Sequence, residues 1–222
     1  EARADDLKAP IAPALYVARD ADSNLYLYGT VHVRPSGAAW GSAAARQALA
    51  SAEDVWTEIE ISPRADATAQ ALAQRLGAAR AGQPLSAWLS TDENARLGAL
   101  TRRLGVPTGA LEPMQPWAAA LTLTLIPIQQ AGYDPLSGVD RAIDAYGDAH
   151  SKRMRALETV EAQVGFLAGL SASLQRQMLI EAIDEAEQGP ALLAQLTRAW
   201  ETGDVETLDR LVVADTRADY PE

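Results

Sequence analysis

The chain has 222 residues, enough for one large domain, and its 48% apolar and 22% charged residues are typical of a folded globular protein. Its net charge of -11 argues against nucleic acid and anionic membrane surfaces as partners. The absence of cysteine excludes disulfides, thiolate zinc sites and cysteine nucleophiles, and no apolar run is long enough to predict a membrane span.

The first elements predicted after a loose lead-in over residues 1–13 are two strands and a helix. The stretch "ALYVARDADSNLYLYGTVH" alternates apolar and polar residues around the turn "DADSN", which predicts a β-hairpin. A helical stretch, "GSAAARQALASAED", precedes a further predicted strand, "DVWTEIEIS". Strand, helix and strand in this order predict a βαβ unit with parallel pairing.

The remainder of the chain has mainly helical patterns. Three helices are predicted within residues 64–131, the second of them capped by Thr91 or Asp92. The helix "SGVDRAIDAYGDAH", the short strand "RMRALE" and three or four helices over residues 159–213 follow. We therefore expect a single domain over residues 1–222 with an α/β fold: a small sheet built from βαβ units, a large helical insertion at 64–131 and a helix-rich C-terminal half.

The chain has two histidines, and they have different predicted surroundings. His32 follows the second strand, three residues after Gly29, which would let the chain turn so that His32 points into a cleft at the strand ends. A half-buried histidine donating to a backbone carbonyl is the structural alternative. His150 ends a predicted helix, where a basic side chain needs no function to explain it.

Several carboxylates lie at positions that suit either a site or the surface. Glu58 and Glu60 share one face of a predicted strand. On a buried strand they would need partners or a metal, whereas on an edge strand they would simply be solvated. Asp140 lies near a helix N-terminus, which the helix dipole alone explains. Glu158 lies at a strand end, as His32 does, and Thr159 after it is a plausible helix cap.

Five stretches in order resemble the TraB/GumN family, which is related to the Tiki metalloproteases. They are "PALYVARDADSNLYLYGTVHVRP", "ALASAEDVWTEIEIS", "LEPMQPWAAALTL", "AGYDPLSGVDRAIDAYG" and "RALETVEAQVGFL". They are similar to the family's GTxH motif, its strand ending in an acid, its PW helix, its GxD segment and its LET-x-E-x-Q motif. The resemblance runs through nearly the whole chain.

The resemblance implies a metal-dependent hydrolase, peptidase-like, acting on a peptide or small-molecule substrate. The catalytic and metal-binding residues that it implies are His32, Glu58 and Glu158, and the further pocket residues are Gly29, Glu60, Asp140 and Gln163. One histidine with carboxylates favours Mn²⁺ or Co²⁺ over Zn²⁺. Such an ion would polarise a carbonyl, and a nearby carboxylate would act as general base.

The resemblance also implies a location and leaves two other functions open. Family members usually continue with an "RN" segment and a second GxxH, so we expect the chain to be C-terminally incomplete. A non-catalytic ligand-binding or envelope polysaccharide-assembly protein on the same fold is therefore the alternative function. An interaction scaffold is a third, and its sign would be a large exposed apolar face on residues 171–213. The resemblance suggests a periplasmic or secreted protein.

Overall fold

The computed structural model describes residues 11–189 and 191–214. Most of the predicted lead-in and the C-terminal residues from 215 onward lie outside the described residues. The strands are β1 (Leu15–Arg19), β2 (Asn24–Tyr28), β3 (Arg34–Pro35), β4 (Asp54–Thr57), β5 (Tyr133–Asp134) and β6 (Arg153–Ala156). The α-helices are α1 (Ala43–Ser51), α2 (Pro63–Leu76), α3 (Thr91–Arg103), α4 (Pro116–Gln130), α5 (Val139–Ala149), α6 (Val160–Ala168), α7 (Ala172–Gln188), α8 (Ala191–Thr202) and α9 (Val205–Leu208). Short 3₁₀ turns at Leu85–Trp88 and Pro135–Ser137 and a π-helical turn at Asp209–Ala214 complete the described elements.

The predicted fold class is confirmed: the protein is mixed α/β with a helix-rich C-terminal half. Over the described ranges the strands form three two-stranded sheets, with β1–β2 and β3–β5 antiparallel and β4–β6 parallel. The predicted hairpin is the β1–β2 pair, in the register Leu15 opposite Tyr28. No helix of the described residues is both long enough and apolar enough to cross a membrane.

The partner of β4 differs from the prediction. The strand–helix–strand pattern predicted that β4 pairs in parallel with β2, whereas the structure pairs it with β6. Cross-strand charge pairs favour the observed pairing, because Asp54 contacts Arg153 at 2.9 Å and Arg155 at 3.0 Å. The parallel pair expected from the sequence is present, with a different second strand.

The strand β4 is shorter than predicted. It ends at Thr57, whose hydroxyl donates a 2.7 Å hydrogen bond to the carbonyl of Ile59 and so closes a local turn. Ser62 then caps α2, and Pro63 occupies its first position. Glu58 and Glu60 therefore lie beyond the strand end, and the expectation that they share a strand face is wrong.

The main hydrophobic core lies in the helical part of the chain. Helices α4 and α7 pack along each other, and Leu123, Leu179 and Ile183 are almost completely buried between them. Helix α3 adds Leu97 and Leu100 to the same cluster. The helices predicted within residues 64–131 therefore share a core with the C-terminal half. This packing provides a rigid support beside the small sheets.

Replacing Ser90 with alanine should lower the free energy of unfolding by about 1 kcal/mol, as expected for the loss of a helix cap. Ser90, and not Thr91 or Asp92 as predicted, caps α3 in a capping box with Glu93: each side chain accepts a hydrogen bond from the other residue's backbone N–H. Thr91→Ala is the matched control, with a change below about 0.5 kcal/mol. Urea unfolding of both variants measures the difference, and equal losses would contradict the observed cap.

Candidate functional site

A cleft of about 1090 Å³ lies beside β2, β4 and the N-terminus of α5. Most of the residues that the family resemblance implies lie on its wall. They are Gly29, His32, Glu58, Glu60, Asp140 and Gln163. The cleft brings together segments that are more than a hundred residues apart in sequence, which identifies it as the candidate site.

His32 and Asp140 face each other in this cleft. His32 lies in the loop after β2, and its Nδ1 is 3.5 Å from Oδ1 of Asp140 in the first turn of α5. A backbone hydrogen bond of 2.9 Å, donated by Val139 N to Val31 O, holds the two segments together. The helix N-terminus stabilises the ionised carboxylate of Asp140, and the contact with His32 favours the same ionised form.

Gly138 permits this close approach. A Cβ at Gly138 would lie 2.7 Å from the carbonyl oxygen of His32 and 2.6 Å from Oδ1 of Asp140, closer than real Cβ contacts. Its backbone has negative φ, so the need for glycine is one of space alone. The glycine of the "GVD" stretch is thus what allows α5 to begin against the histidine loop.

The sequence predicted that Gly29 lets the chain turn toward the cleft, and this physical reason is wrong. A Cβ at Gly29 would meet nothing within 4 Å, and the residue does not adopt positive φ, so neither a turn nor a close approach requires glycine there. Its carbonyl accepts a 2.8 Å hydrogen bond from the indole nitrogen of Trp200 on α8. Gly29 lies on the cleft wall as predicted, but the position of His32 depends on Gly138 and on α8.

A buried arginine behind the histidine loop was missed by sequence reasoning. Arg34 is only 3% exposed and donates to Glu201 Oε1 at 2.7 Å and to the carbonyl oxygen of Ala39. Its guanidinium also lies 4.7 Å from the ring centre of Trp200, a cation–π contact. Because Arg34 and Glu201 are 167 residues apart in sequence, no local pattern predicts their pairing.

A tyrosine completes this support. Tyr28 packs edge-on against Trp200, and its hydroxyl donates a 3.0 Å hydrogen bond to the carbonyl of Trp40. Burial raises the pKa of Tyr28 to about 12, so the phenol remains a neutral donor across the physiological range. Helix α8 thus holds the end of β2 and the loop that carries His32.

Glu58 and Gln163 form the other side of the site. The amide of Gln163 donates a 3.4 Å hydrogen bond to Oε2 of Glu58. Thr159 caps α6, as predicted, and so places Gln163 as the fourth residue of that helix, in its first turn. Glu158 donates its backbone N–H to the carbonyl of Glu58 at 2.8 Å, but its exposed side chain is not part of the cleft wall.

Two remaining candidates have local structural roles. Glu60 is exposed and accepts a 2.8 Å hydrogen bond from the hydroxyl of Ser62, which caps α2. His150 ends α5, stacks on Tyr146 with ring centres 3.9 Å apart, and contacts the carbonyl of the same residue at 2.8 Å through Nδ1. This is the helix-end position that the sequence predicts for His150.

The pair of His32 and Asp140 shifts both pKa values. Contact with the Asp140 carboxylate raises the pKa of His32 above 6.5, against an opposing effect of burial, and the charge of Glu58 adds to the rise. Burial alone would raise the pKa of Asp140, but contact with His32, a backbone hydrogen bond and the charge of Arg141 together outweigh burial and leave the pKa below 3.8. Each group therefore stabilises the charged form of the other.

The side chains of the cleft offer atoms that can bind a cation, but few of them lie close together. An imidazole and carboxylates form a nitrogen–oxygen set that accepts a borderline divalent ion. Asp140 Oδ1 is buried without a well-aligned hydrogen bond, and it faces Nδ1 of His32 at 3.5 Å, so it serves the histidine pair. Among the described residues, however, no group of three or more histidine, aspartate or glutamate side chains is placed to hold one metal ion.

The fold and the cleft define a mixed α/β protein with a histidine–carboxylate site between its small sheets and its helical part. The sequence model of the TraB/PrgY/gumN family matches residues 14–222, nearly the whole chain, and the protein belongs to this family. The resemblance seen in the motifs is thereby confirmed. Neither a search of curated proteins nor a search of solved structures finds a match.

Replacing Gly138 with alanine should separate His32 from Asp140. We expect the free energy of unfolding to fall by about 1–3 kcal/mol through overpacking, and the pKa of His32 to move back toward 6.5. Gly29→Ala is the control, with a change within about 0.5 kcal/mol, because its Cβ meets open space. Urea unfolding and NMR titration of the histidine rings measure both effects. An unchanged pKa in Gly138→Ala would contradict this role.

The stability that the pair contributes should depend on pH. Because the pKa of His32 is raised in the folded state, His32 contributes fully to the free energy of unfolding below pH 6.5. This contribution is lost as the pH rises through the folded-state pKa. Because the pKa of Asp140 is lowered in the folded state, its contribution to the free energy of unfolding is present above pH 3.8. This contribution is lost as the pH falls through the folded-state pKa. In chelator, the loss of stability in Asp140→Asn should therefore be largest near pH 5 and smaller at pH 8. A loss that grows toward pH 8 would contradict the pairing.

Proposed function

We propose that this protein is a metal-dependent hydrolase of the peptidase type, with its reactive centre between His32, Asp140 and Glu58. The observation that supports the proposal is the convergence of these side chains on one cleft from segments far apart in the sequence. Perturbed titratable groups in a cleft are typical of functional sites. Membership of the TraB/PrgY/gumN family is compatible with this chemistry.

The histidine is held by Asp140 through Nδ1, which leaves Nε2 as the nitrogen free for a substrate or a cation. On the proposal, His32 would hold the cation through Nε2 while Asp140 orients the imidazole, and Glu58 or Glu158 would supply an oxygen. The mixed donor set makes Mn²⁺ or Co²⁺ better candidates than Zn²⁺. When bound, the cation would supply Lewis acidity at the substrate carbonyl.

Glu58 is the proposed general base. Gln163 donates to Oε2 and orients the carboxylate, so Oε1 is the atom that would take the proton from the attacking water. Glu58 is exposed at the mouth of the cleft, where water has access. Protonated Glu58 would then return this proton to the leaving group.

The test is hydrolysis of a peptide panel by the full chain with Mn²⁺, Co²⁺ or Zn²⁺ added. We expect cleavage that requires a cation and that is lost in His32→Ala. The control is His150→Ala, which should retain activity because His150 stacks on Tyr146 and does not line the cleft. Cleavage that persists in His32→Ala, or that chelator leaves unchanged, would overturn the proposal.

The alternative is a ligand-binding or envelope polysaccharide-assembly protein without turnover. One observation favours it: the described residues contain no group of three carboxylate or histidine side chains placed for a metal. A ligand that copurifies with the protein and is released unchanged, with no cleavage of any peptide in the panel, would select this function. The scaffold function has less support, since Val205 and Val212 are the large apolar side chains exposed on the described part of residues 171–213.

For either function, the proposed location is the periplasm or the cell exterior, which the family resemblance suggests.

A further inference from the structure

The cleft is lined by two strands that each have one edge without a strand partner among the described residues. All residues of β2 and all residues of β4 line it. Within that part of the chain β2 pairs with β1 alone, and β4 pairs with β6 alone. The other edge of each strand therefore presents a row of backbone donors and acceptors, which is a template for a further strand.

The size of the cleft also suits an extended chain. Helix α1 precedes β4, and its Ala45, Ala48 and Leu49 also line the cleft. The volume of about 1090 Å³ is at the upper end for small-molecule sites. A two-stranded sheet is marginal alone, so a strand that joined two such sheets would also stabilise both.

The side chains around the cleft define the chemistry of such a strand. Leu25, Leu27 and Trp56 line the cleft, yet each is more than half exposed. Exposed apolar side chains in one groove indicate a partner with apolar side chains of its own.

The charged side chains that line the cleft are mainly acidic. Glu58, Glu60 and Asp140 are among them, and Arg141 is already paired with Asp66 at 2.6 Å. A basic residue at one end of the partner would complement this charge.

We propose that the protein binds an extended peptide as an added strand between β2 and β4, with alternate apolar side chains on Leu25, Leu27 and Trp56 and a basic residue toward Glu58 and Asp140. The peptide enters as the substrate of the proposed hydrolase, so its identity as a substrate depends on the proposed function. Its binding as a strand depends only on the two edges that are unpaired among the described residues and on the charge and apolarity of the cleft.

The probe is the peptide acetyl-Lys-Val-Thr-Val-Thr-Val-amide, titrated into the full chain without added cation. Two further versions carry N-methyl groups on one or the other set of alternate amides. Because alternate residues of a strand hydrogen-bond to opposite neighbours, each version should bind about tenfold more weakly or worse if both edges are used. Hydrogen exchange should slow at residues 24–28 and 54–57 when the parent peptide binds.

Matched variants locate the binding surface. Leu27→Ser alters a cleft side chain that is 54% exposed and should weaken binding about tenfold without unfolding the protein. Phe166→Ser alters a 72% exposed side chain away from the cleft and should leave binding unchanged. Replacing the lysine of the probe by glutamate should weaken binding as well.

Three results would overturn the proposal. Equal binding of the parent and both N-methylated peptides would exclude strand pairing. Slow exchange at both edges without peptide, together with no binding, would show that other residues of this chain cover them. If hydrogen exchange at these edges slows as the protein concentration rises and dimers form, a second copy of the chain covers the edges. The parent chain is also assayed for cleavage of the same peptide with cation added. Strand binding without hydrolysis would refute the proposed function and leave this inference standing.

Discussion

Replacing Trp200 with alanine is expected to lower the free energy of unfolding by about 3–5 kcal/mol, the cost of removing a large buried aromatic side chain. Trp200 is only 4% exposed, and its ring packs against Tyr28 and lies beside the guanidinium of Arg34. Its indole nitrogen donates to the carbonyl of Gly29. The variant therefore loses packing, a cation–π contact and a hydrogen bond at once. Urea unfolding monitored by circular dichroism measures the change.

Trp200→Phe separates packing from hydrogen bonding. It retains most of the aromatic volume and loses the donor to Gly29, so its cost should be smaller than that of Trp200→Ala. Because α8 supports the loop of His32, both variants should also alter the NMR signal of the His32 ring. A Trp200→Ala variant as stable as the parent would show that α8 does not hold the β2 end.

Replacing Asp140 with asparagine is expected to lower kcat/KM for peptide hydrolysis about 10²-fold to 10⁴-fold, the range for loss of an acid–base or orienting group. Asparagine keeps the size of the side chain but removes the charge that orients His32 and raises its pKa. The prediction depends on the proposed hydrolase activity. Initial rates over a range of pH and cation concentration measure it.

Asp144→Asn is the matched control for this substitution. Asp144 lies one turn further along α5 and is not part of the cleft wall. Its replacement should change kcat/KM less than about threefold, since Asp144 lies outside the cleft wall and does not contact His32. Equal losses in the two variants would mean that Asp140 acts through the general charge of α5 and not through His32.

The sequence predicted the elements better than their partners. Alternating apolar residues identified the β1–β2 hairpin, and helical patterns identified α1, α5 and the helices that follow β6. The pairing of β4 with β6 depends on contacts of Asp54 with Arg153 and Arg155, about a hundred residues away. A pairing between strands so far apart in the chain produces no local pattern in a single sequence.

Prediction of the candidate site was uneven for the same reason. The motif stretches identified His32, Glu58, Asp140 and Gln163, and the structure places all of them on one cleft. Glu158 lies beside Glu58 in the backbone but outside the cleft wall, and its role stays a proposal.

The residues that support the site were the ones missed. Arg34, Trp200 and Glu201 hold the histidine loop from behind, and Gly138 allows α5 to approach it. Their importance follows from packing and space in three dimensions, which sequence spacing does not express.

The measurement that tests the central claim most directly is NMR of the two histidine rings during titration with Co²⁺. Because the chain has only two histidines, His32→Ala assigns both signals. If His32 and Asp140 form a cation site, the His32 signals will broaden or shift at low Co²⁺ and the His150 signals will not, and Asp140→Asn will weaken the effect. Broadening of both rings alike, or of neither, would contradict a metal site in this cleft.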